Sequence, residues 1–219
     1  MSIIASNVSK FFGQPPVKAL SDISLEIKEG EFVALMGKSG SGKSTLLYLL
    51  SSLDEPSAGK IEVSGHDLKK LSKEEIHDFR NREMGFVFQF HYLISELNGL
   101  ENVLLPAMKH RMKEEKTAYA IELLNHFEMG DKLNRLPAQL SGGEQQRLAI
   151  ARALVMKPKY LFADEPTGSL DSANSQIVMD ILKEANDKFK TTIVLVTHDA
   201  EYAAIAHRQI HLLDGKIVN

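Results

Sequence analysis

The chain has no cysteine among its 219 residues. That removes disulfides, thiolate catalysis and cysteine metal sites, and it fits a reducing compartment. Long hydrophobic runs are also missing. Stretches such as Ile193-Val194-Leu195-Val196 are far too short to cross a bilayer. Met1-Ser2-Ile3-Ile4-Ala5-Ser6 lacks the basic region and apolar core of a signal peptide. There is no excess of positive charge, the net charge being −3, so bulk nucleic-acid binding is not expected. No internal repeat, low-complexity tract or long linker interrupts the chain. With 43% hydrophobic and 25% charged residues, it reads as a soluble globular protein. Its length suits one α/β domain, with or without a subdomain. Any membrane role is expected to run through another chain.

What is present is organised around Gly37-Lys38-Ser39-Gly40-Ser41-Gly42-Lys43-Ser44, which fits the phosphate-cradling pattern G-x-x-x-x-G-K-[ST]. Glu31 to Met36 reads as a short buried strand entering the loop, and Thr45 to Leu50 as the helix leaving it. The glycines allow a tight turn in which several N–H groups face one concavity. The helix N-terminus adds its partial positive charge there. Lys43 is expected to reach the β- and γ-phosphates, and the Ser44 hydroxyl to ligate Mg²⁺.

Along the chain, Ile3 to Lys10, Ala19 to Ile27 and Lys60 to Gly65 read as strands of an antiparallel sheet. Phe11-Phe12-Gly13 leads into the Pro15-Pro16 loop. Lys73 to Glu83 reads as a charged, solvated helix. Met84 to Phe88 is a second buried strand, ending in Gln89. The reading from Phe90 to Arg135 is helical, with helices over Leu100–His110 and Lys113–Met129 and a stop at Gly130. A helix opening in Leu140-Ser141-Gly142-Gly143-Glu144-Gln145-Gln146-Arg147 runs to Met156. Lys159 to Ala163 is a third buried strand. Ser172 to Phe189 is a helix with Asp171 or Ser172 as its cap. Thr191 to Thr197 is a fourth strand, and a short helix and a hairpin turning at Asp214-Gly215 close the chain. Strands alternating with helices predict a parallel sheet covered on both faces.

The polar groups that follow the buried strands carry the chemistry. In open α/β sheets ligands bind outside the carboxyl ends of the strands. The P-loop, Gln89, Asp164-Glu165 and His198 all stand at such ends. Asp164 suits a Walker B carboxylate holding Mg²⁺ opposite Ser44. Glu165 is not needed for the metal and suits a base that orients the attacking water. His198 by itself reads equally as an ordinary strand-end histidine, and Gln89 as an ordinary strand-end glutamine. After its apolar strand, Thr197-His198-Asp199 suggests a γ-phosphate contact for His198. The Gln89 amide suits a contact to Mg²⁺ or water. Ser141, Gly142 and Gly143 at a helix start read either as a glycine hinge or as a second anion site. One triphosphate does not need two such helix ends from one chain, so a two-fold dimer is expected to supply the second in trans.

Together the P-loop, Gln89, Leu140 to Glu144, Asp164-Glu165, Ser169-Leu170-Asp171 and His198 resemble the nucleotide-binding subunits of ABC transporters, across essentially the whole chain. The resemblance implies an α/β P-loop NTPase with a RecA-like parallel-sheet core, an antiparallel β subdomain and an inserted helical subdomain at about residues 90–150, within one domain spanning 1–219. It implies ATP and Mg²⁺ as ligands. Gly37, Lys38, Ser39, Gly40, Ser41, Gly42, Lys43, Ser44 and Thr45 fall at the phosphate contacts. Phe12 falls where the family usually has a Tyr stacking on adenine, with Phe11 the competing assignment. Asp171 falls in the loop that couples two sites across the dimer.

Within the family, Gly85 to Ile94 and Leu100 to Val103 are similar to the lipoprotein-releasing ATPases of Gram-negative bacteria. Glu165-Pro166-Thr167-Gly168 and Asn102-Val103 are shared with macrolide-efflux and cell-division relatives. Phe90-His91 after Gln89 favours lipoprotein release. Ser95 departs from a proline common in that branch, and Asn98-Gly99 from a Thr-Ala pair. The resemblance implies a homodimer closing around two ATP, docked near Gln89 to Asn102 on integral-membrane subunits at the cytoplasmic face of the bacterial inner membrane. Lipoprotein cargo would be met only through those subunits, and nucleic acid not at all. The alternatives are an efflux ATPase, or a regulatory ATPase of a membrane complex that moves no substrate. A DNA-repair or translation ATPase is disfavoured by the single nucleotide-binding unit and the absence of a coiled-coil insertion.

Overall fold

The computed structural model describes residues 2–218. The first two strands, β1 (Ser2–Phe12) and β2 (Val17–Lys28), pair antiparallel. With β4 (Ala58–Val63) and the short β5 (His66–Asp67) they form a four-stranded sheet of order β2-β1-β4-β5. In β2 the apolar Ile23, Leu25 and Ile27 turn inward while Asp22, Ser24 and Glu26 turn outward, the period-2 pattern of a sheet with one wet face. Phe11 and Phe12 belong to β1 and pair with Lys18 and Val17, so the loop begins later than the sequence suggests.

The second sheet has six strands in the order β10-β9-β3-β8-β7-β6. They are β3 (Phe32–Met36), β6 (Met84–Phe88), β7 (Tyr160–Asp164), β8 (Thr192–Val196), β9 (Arg208–Leu213) and β10 (Lys216–Val218). All neighbours pair parallel except β10, which returns antiparallel from β9. The continuous apolar runs of β3, β7 and β8 follow from burial on both faces. Val33, Leu35, Phe162 and Val194 pack with Leu20 and Ile23 of the antiparallel sheet and with Leu46 and Leu50 of α1 (Lys43–Leu50). Their alternates Phe32, Leu161, Ile193 and Leu195 pack on the opposite side with Leu148 and Leu182.

The connections are helical: α2 (Lys73–Glu83), α3 (Gly99–Lys109), α4 (Lys113–His126), α5 (Gly142–Leu154), α6 (Ser172–Phe189) and α7 (Ala200–Ala203). Three of them, α2, α3 and α5, open with reciprocal capping boxes, Ser72 with Glu75, Asn98 with Glu101, and Ser141 with Glu144. In the stretch between β6 and β7, α3 packs on α4 and α5, and α5 packs on β6 and α6. The cap of α6 is Asp171, whose carboxylate accepts from the Asn174 N–H.

Two helical expectations are corrected. Residues 90–98 are not helical. The buried Asn102 side chain holds them instead: it accepts from Ile94 N at 2.8 Å and donates to the carbonyls of Ile94, Leu97 and Asn98. These bonds satisfy backbone groups that a helix would otherwise have to pair internally. Helix α4 ends at His126 rather than Met129, because Glu128 takes a left-handed φ of 58°.

Candidate active site

The P-loop joins the carboxyl end of β3 to α1. Gly37 and Gly42 have φ of 143° and 99°, which L side chains rarely adopt. Space forbids side chains there as well. A Cβ on Gly37 would lie 2.3 Å from the Leu212 carbonyl oxygen, and one on Gly42 2.9 Å from that of Ala19. Gly42 is the N-cap of α1 and offers no side-chain acceptor. The first-turn N–H groups of the helix are therefore free for an anion. Lys43 is buried and folds back over the loop, donating to the carbonyls of Gly37 at 2.9 Å and Lys38 at 3.0 Å. No carboxylate among the described residues pairs with it.

Across the cleft, β7 ends in Asp164. Ser44 donates to its Oδ1 at 2.9 Å and Tyr48 donates to its Oδ2 at 3.0 Å. Burial, the Asp164 charge and that hydrogen bond push the Tyr48 phenol up to about 12, so it is a donor at neutral pH. Ser44 and Asp164 supply adjacent hard oxygen ligands, the donor set that suits Mg²⁺. Glu165 follows with a left-handed φ of 47°. Its N–H donates to the Val196 carbonyl at 3.0 Å and its own carbonyl accepts from Gly168 N. This turn aims its carboxylate at His198, where Oε2 and Nδ1 are 3.5 Å apart. Ser39, Lys43, Ser44, Glu165 and His198 line one cleft of about 430 Å³, beside Ala19.

Gln89 stands just past the end of β6. A Cβ on Gly168 would lie 2.9 Å from its Nε2, so the amide rests against the Glu165–Gly168 turn. Other expected residues lie outside this cleft. Phe12 is 47% exposed with Lys10 Nζ 4.9 Å from its ring centroid, and Phe11 is 40% exposed beneath Lys18. Gly143 and Asp171 meet at Asn174, and Ser141 and Gly142 stand just before Gly143 at the start of α5. The Asn174 amide nitrogen donates to both Asp171 oxygens, at 3.1 and 3.0 Å, and its oxygen accepts from Arg147 at 3.0 Å. It also packs so closely that a Cβ on Gly143 would lie 2.1 Å from Asn174 Oδ1. These backbone and side-chain bonds from Asn174 hold the Asp171 carboxyl below its ordinary value.

Sequence reasoning missed Asn174 and three further contributors. Tyr48 stands four residues after Ser44 on α1, a spacing that puts both on one helix face and signals it. Gln146, fully buried, donates to the Pro166 carbonyl at 2.7 Å and so ties α5 to the Glu165 turn. Arg152 donates to the carbonyls of His91 and Tyr92, each at 2.6 Å. Both of those residues have left-handed φ. Nothing local in the sequence announces the last two contacts.

A phosphate cradle, two hard oxygens that suit a metal and a carboxylate beside a histidine are the features of a nucleotide-hydrolysing P-loop enzyme. Comparison with known proteins narrows this. The ABC transporter family pattern matches residues 20–168. The lipoprotein-releasing system ATP-binding protein LolD of Leptospira interrogans is 52% identical over 99% of this chain and 91% of its own. LolD of Aquifex aeolicus is 53% identical over 91% of this chain and 89% of its own. Among solved structures, the dimeric post-hydrolysis state of the ATP-binding cassette MJ0796, bound to ADP and Pi, superposes with a TM-score of 0.89. That cassette is 38% identical, over 99% of this chain and 97% of its own. The chain belongs to the ABC transporter family, as an ATP-binding subunit and an ATPase. Its fold is the P-loop NTPase fold that the sequence implied.

Proposed function

We propose that this ATPase powers the release of lipoproteins from the inner membrane of a bacterium, as a peripheral subunit on the cytoplasmic face. The cargo reading is supported by two relatives of that name, each more than half identical over nearly the full chain. None of the described helices is long and apolar enough to cross a membrane, which fits a subunit that acts through membrane partners.

The observation that carries the hydrolytic reading is the meeting of Lys43, Ser44, Glu165 and His198 in one cleft. Gly37 to Thr45 would bind the phosphates, with Lys43 reaching the β- and γ-phosphates. Ser44 and Asp164, with Gln89 nearby, would hold Mg²⁺, which when bound neutralises charge developing on the phosphate oxygens. Glu165 would orient and polarise the attacking water, and His198 would contact the γ-phosphate. Phe12 would stack on adenine.

Two copies would close around two ATP. Ser141, Gly142 and Gly143 of each would meet the γ-phosphate held by the other's P-loop, and Asp171 would couple the two sites. The dimeric form of the neighbouring cassette supports this reading. Hydrolysis would remove the phosphate bridge and favour the open dimer. The chain would act as one domain with its helical subdomain at about residues 90–150. The membrane subunits would dock at the segment from Gln89 to Asn102. That segment exposes Phe90 and Tyr92 and borders a groove of about 540 Å³ lined in part by Arg80, Phe86, Tyr92 and Arg152.

The test is co-purification of Glu165→Gln protein with ATP and Mg²⁺ from detergent-solubilised native membranes, followed by mass spectrometry. A membrane subunit with a large extracytoplasmic domain and bound acylated lipoprotein is expected. A division-complex or efflux partner without lipoprotein would overturn the cargo reading and leave the ATPase standing.

A further inference from the structure

We propose that Tyr48 is a positioning residue for the Asp164 carboxylate, fixing which oxygen faces Ser44 and the metal position. The inference rests on the reading of Asp164 as a ligand of nucleotide-bound Mg²⁺. Ser44 and Tyr48 leave one face of α1 and divide the carboxylate between them. Ser44 takes Oδ1 at 2.9 Å, and Tyr48 takes Oδ2 at 3.0 Å. The terminal torsion of an aspartate is broad and roughly two-fold, so a carboxylate held by one donor can still swing. Two donors on opposite oxygens remove that freedom.

The two contacts differ in what a metal does to them. A cation beside Ser44 would take a lone pair of the hydroxyl whose proton bonds Asp164 Oδ1, so that contact belongs to the metal site itself and shifts with it. The Tyr48 bond lies on the other oxygen and involves no atom that the metal would use. The Tyr48 backbone is fixed in place. The Tyr48 carbonyl accepts from Leu53 N at 2.9 Å, Asp54 N at 3.2 Å and Ser51 Oγ at 3.2 Å, closing the end of α1. The phenol therefore reaches Asp164 from a fixed base, and the orientation of the carboxylate is set before nucleotide arrives.

The experiment places Tyr48→Phe in the Glu165→Gln background, so that nothing turns over. Binding of a fluorescent ATP analogue is followed as Mg²⁺ is titrated, and again in EDTA. The apparent dissociation constant for Mg²⁺ is expected to rise about five- to tenfold, the scale of one lost hydrogen bond to a charged group offset by water. Affinity in EDTA is expected to stay at the parent value. Electron paramagnetic resonance of Mn²⁺ in the ternary complex should show the same weakening. A Mg²⁺ titration that superposes on the parent would overturn the proposal. So would an equal loss of affinity in EDTA, which would mean that the ring packs the loop rather than aims the carboxylate. If the parent itself bound no nucleotide, the underlying site reading would fall, and this inference with it.

Discussion

The Ser44 hydroxyl donates to Asp164 Oδ1 at 2.9 Å, although the two residues are 120 positions apart. The bond ties the start of α1 to the end of β7, two elements that meet only because β7 and β3 flank β8 in the sheet. Asp164 accepts from two hydroxyls, since Tyr48 holds its other oxygen.

That double acceptance sets the outcome of Asp164→Asn. The amide nitrogen must face one of the two hydroxyls, which then accepts instead of donating, and both bonds lose the carboxylate charge. Stability is expected to fall by about 1 kcal/mol, measured by urea unfolding. Mg²⁺-dependent ATP turnover should drop by about 100-fold or more, while nucleotide binding in EDTA persists. Unchanged turnover would remove Asp164 from the metal site.

Asn174 holds Arg147, Asp171 and Gly143 in one cluster. Asn174→Ala leaves the buried Arg147 guanidinium without its partner, at an expected cost of about 1–3 kcal/mol in thermal or urea unfolding. Because the cluster contains Gly143 and Asp171, both expected at the face between two copies, ATP-driven dimerisation should weaken more than ATP binding to the monomer. Gly143→Ala should mimic this, since its new methyl meets Asn174 Oδ1 at 2.1 Å. Light scattering and nucleotide titration, run on the same samples, separate the two effects.

A pH dependence is built into the segment after Gln89. Burial holds the His91 imidazole below its ordinary value of 6.5; the Arg152 charge pushes the same way and Gln145 opposes. As pH falls through 6.5 the unfolded segment binds a proton before the folded one does. Local stability is therefore full above that value and is lost on acidification towards the lowered folded value. Hydrogen exchange of residues 90–98, corrected for the intrinsic rate, should accelerate between about pH 7.5 and about pH 5.5. His91→Gln should flatten that dependence. Equal slopes in both proteins would show that His91 does not control the segment.

Much of this fold is legible in the sequence where local signals agree. Helix α2 and strand β6 lie where polar and apolar runs place them, to the residue, because Ser72 and Glu75 cap one and a change to apolar residues begins the other. The four buried strands are likewise readable from their apolar runs. Strand order is not. Nothing in Arg208 to Leu213 says that β9 will run parallel beside β3, since that pairing is decided by contacts far apart in sequence. Residues 90–98 misread as helix because their irregular path depends on one side chain, Asn102. At the site, the motif residues are readable because the phosphate and metal chemistry proposed for them demands those types. Their supports, Tyr48, Gln146 and Asn174, are set by three-dimensional packing. Only Tyr48 carries a sequence signal, its spacing from Ser44.

The most direct test of the mechanism is Glu165→Gln, assayed for ATP turnover and for mass by light scattering with ATP and Mg²⁺. The substitution keeps the size of the side chain and removes the proton acceptor 3.5 Å from His198. Turnover is expected to fall by about 100-fold or more, with ATP bound and the protein trapped as a dimer. Wild-type turnover, or a monomer at saturating ATP, would contradict the roles of Glu165 as base and of the second copy as the other half of the site.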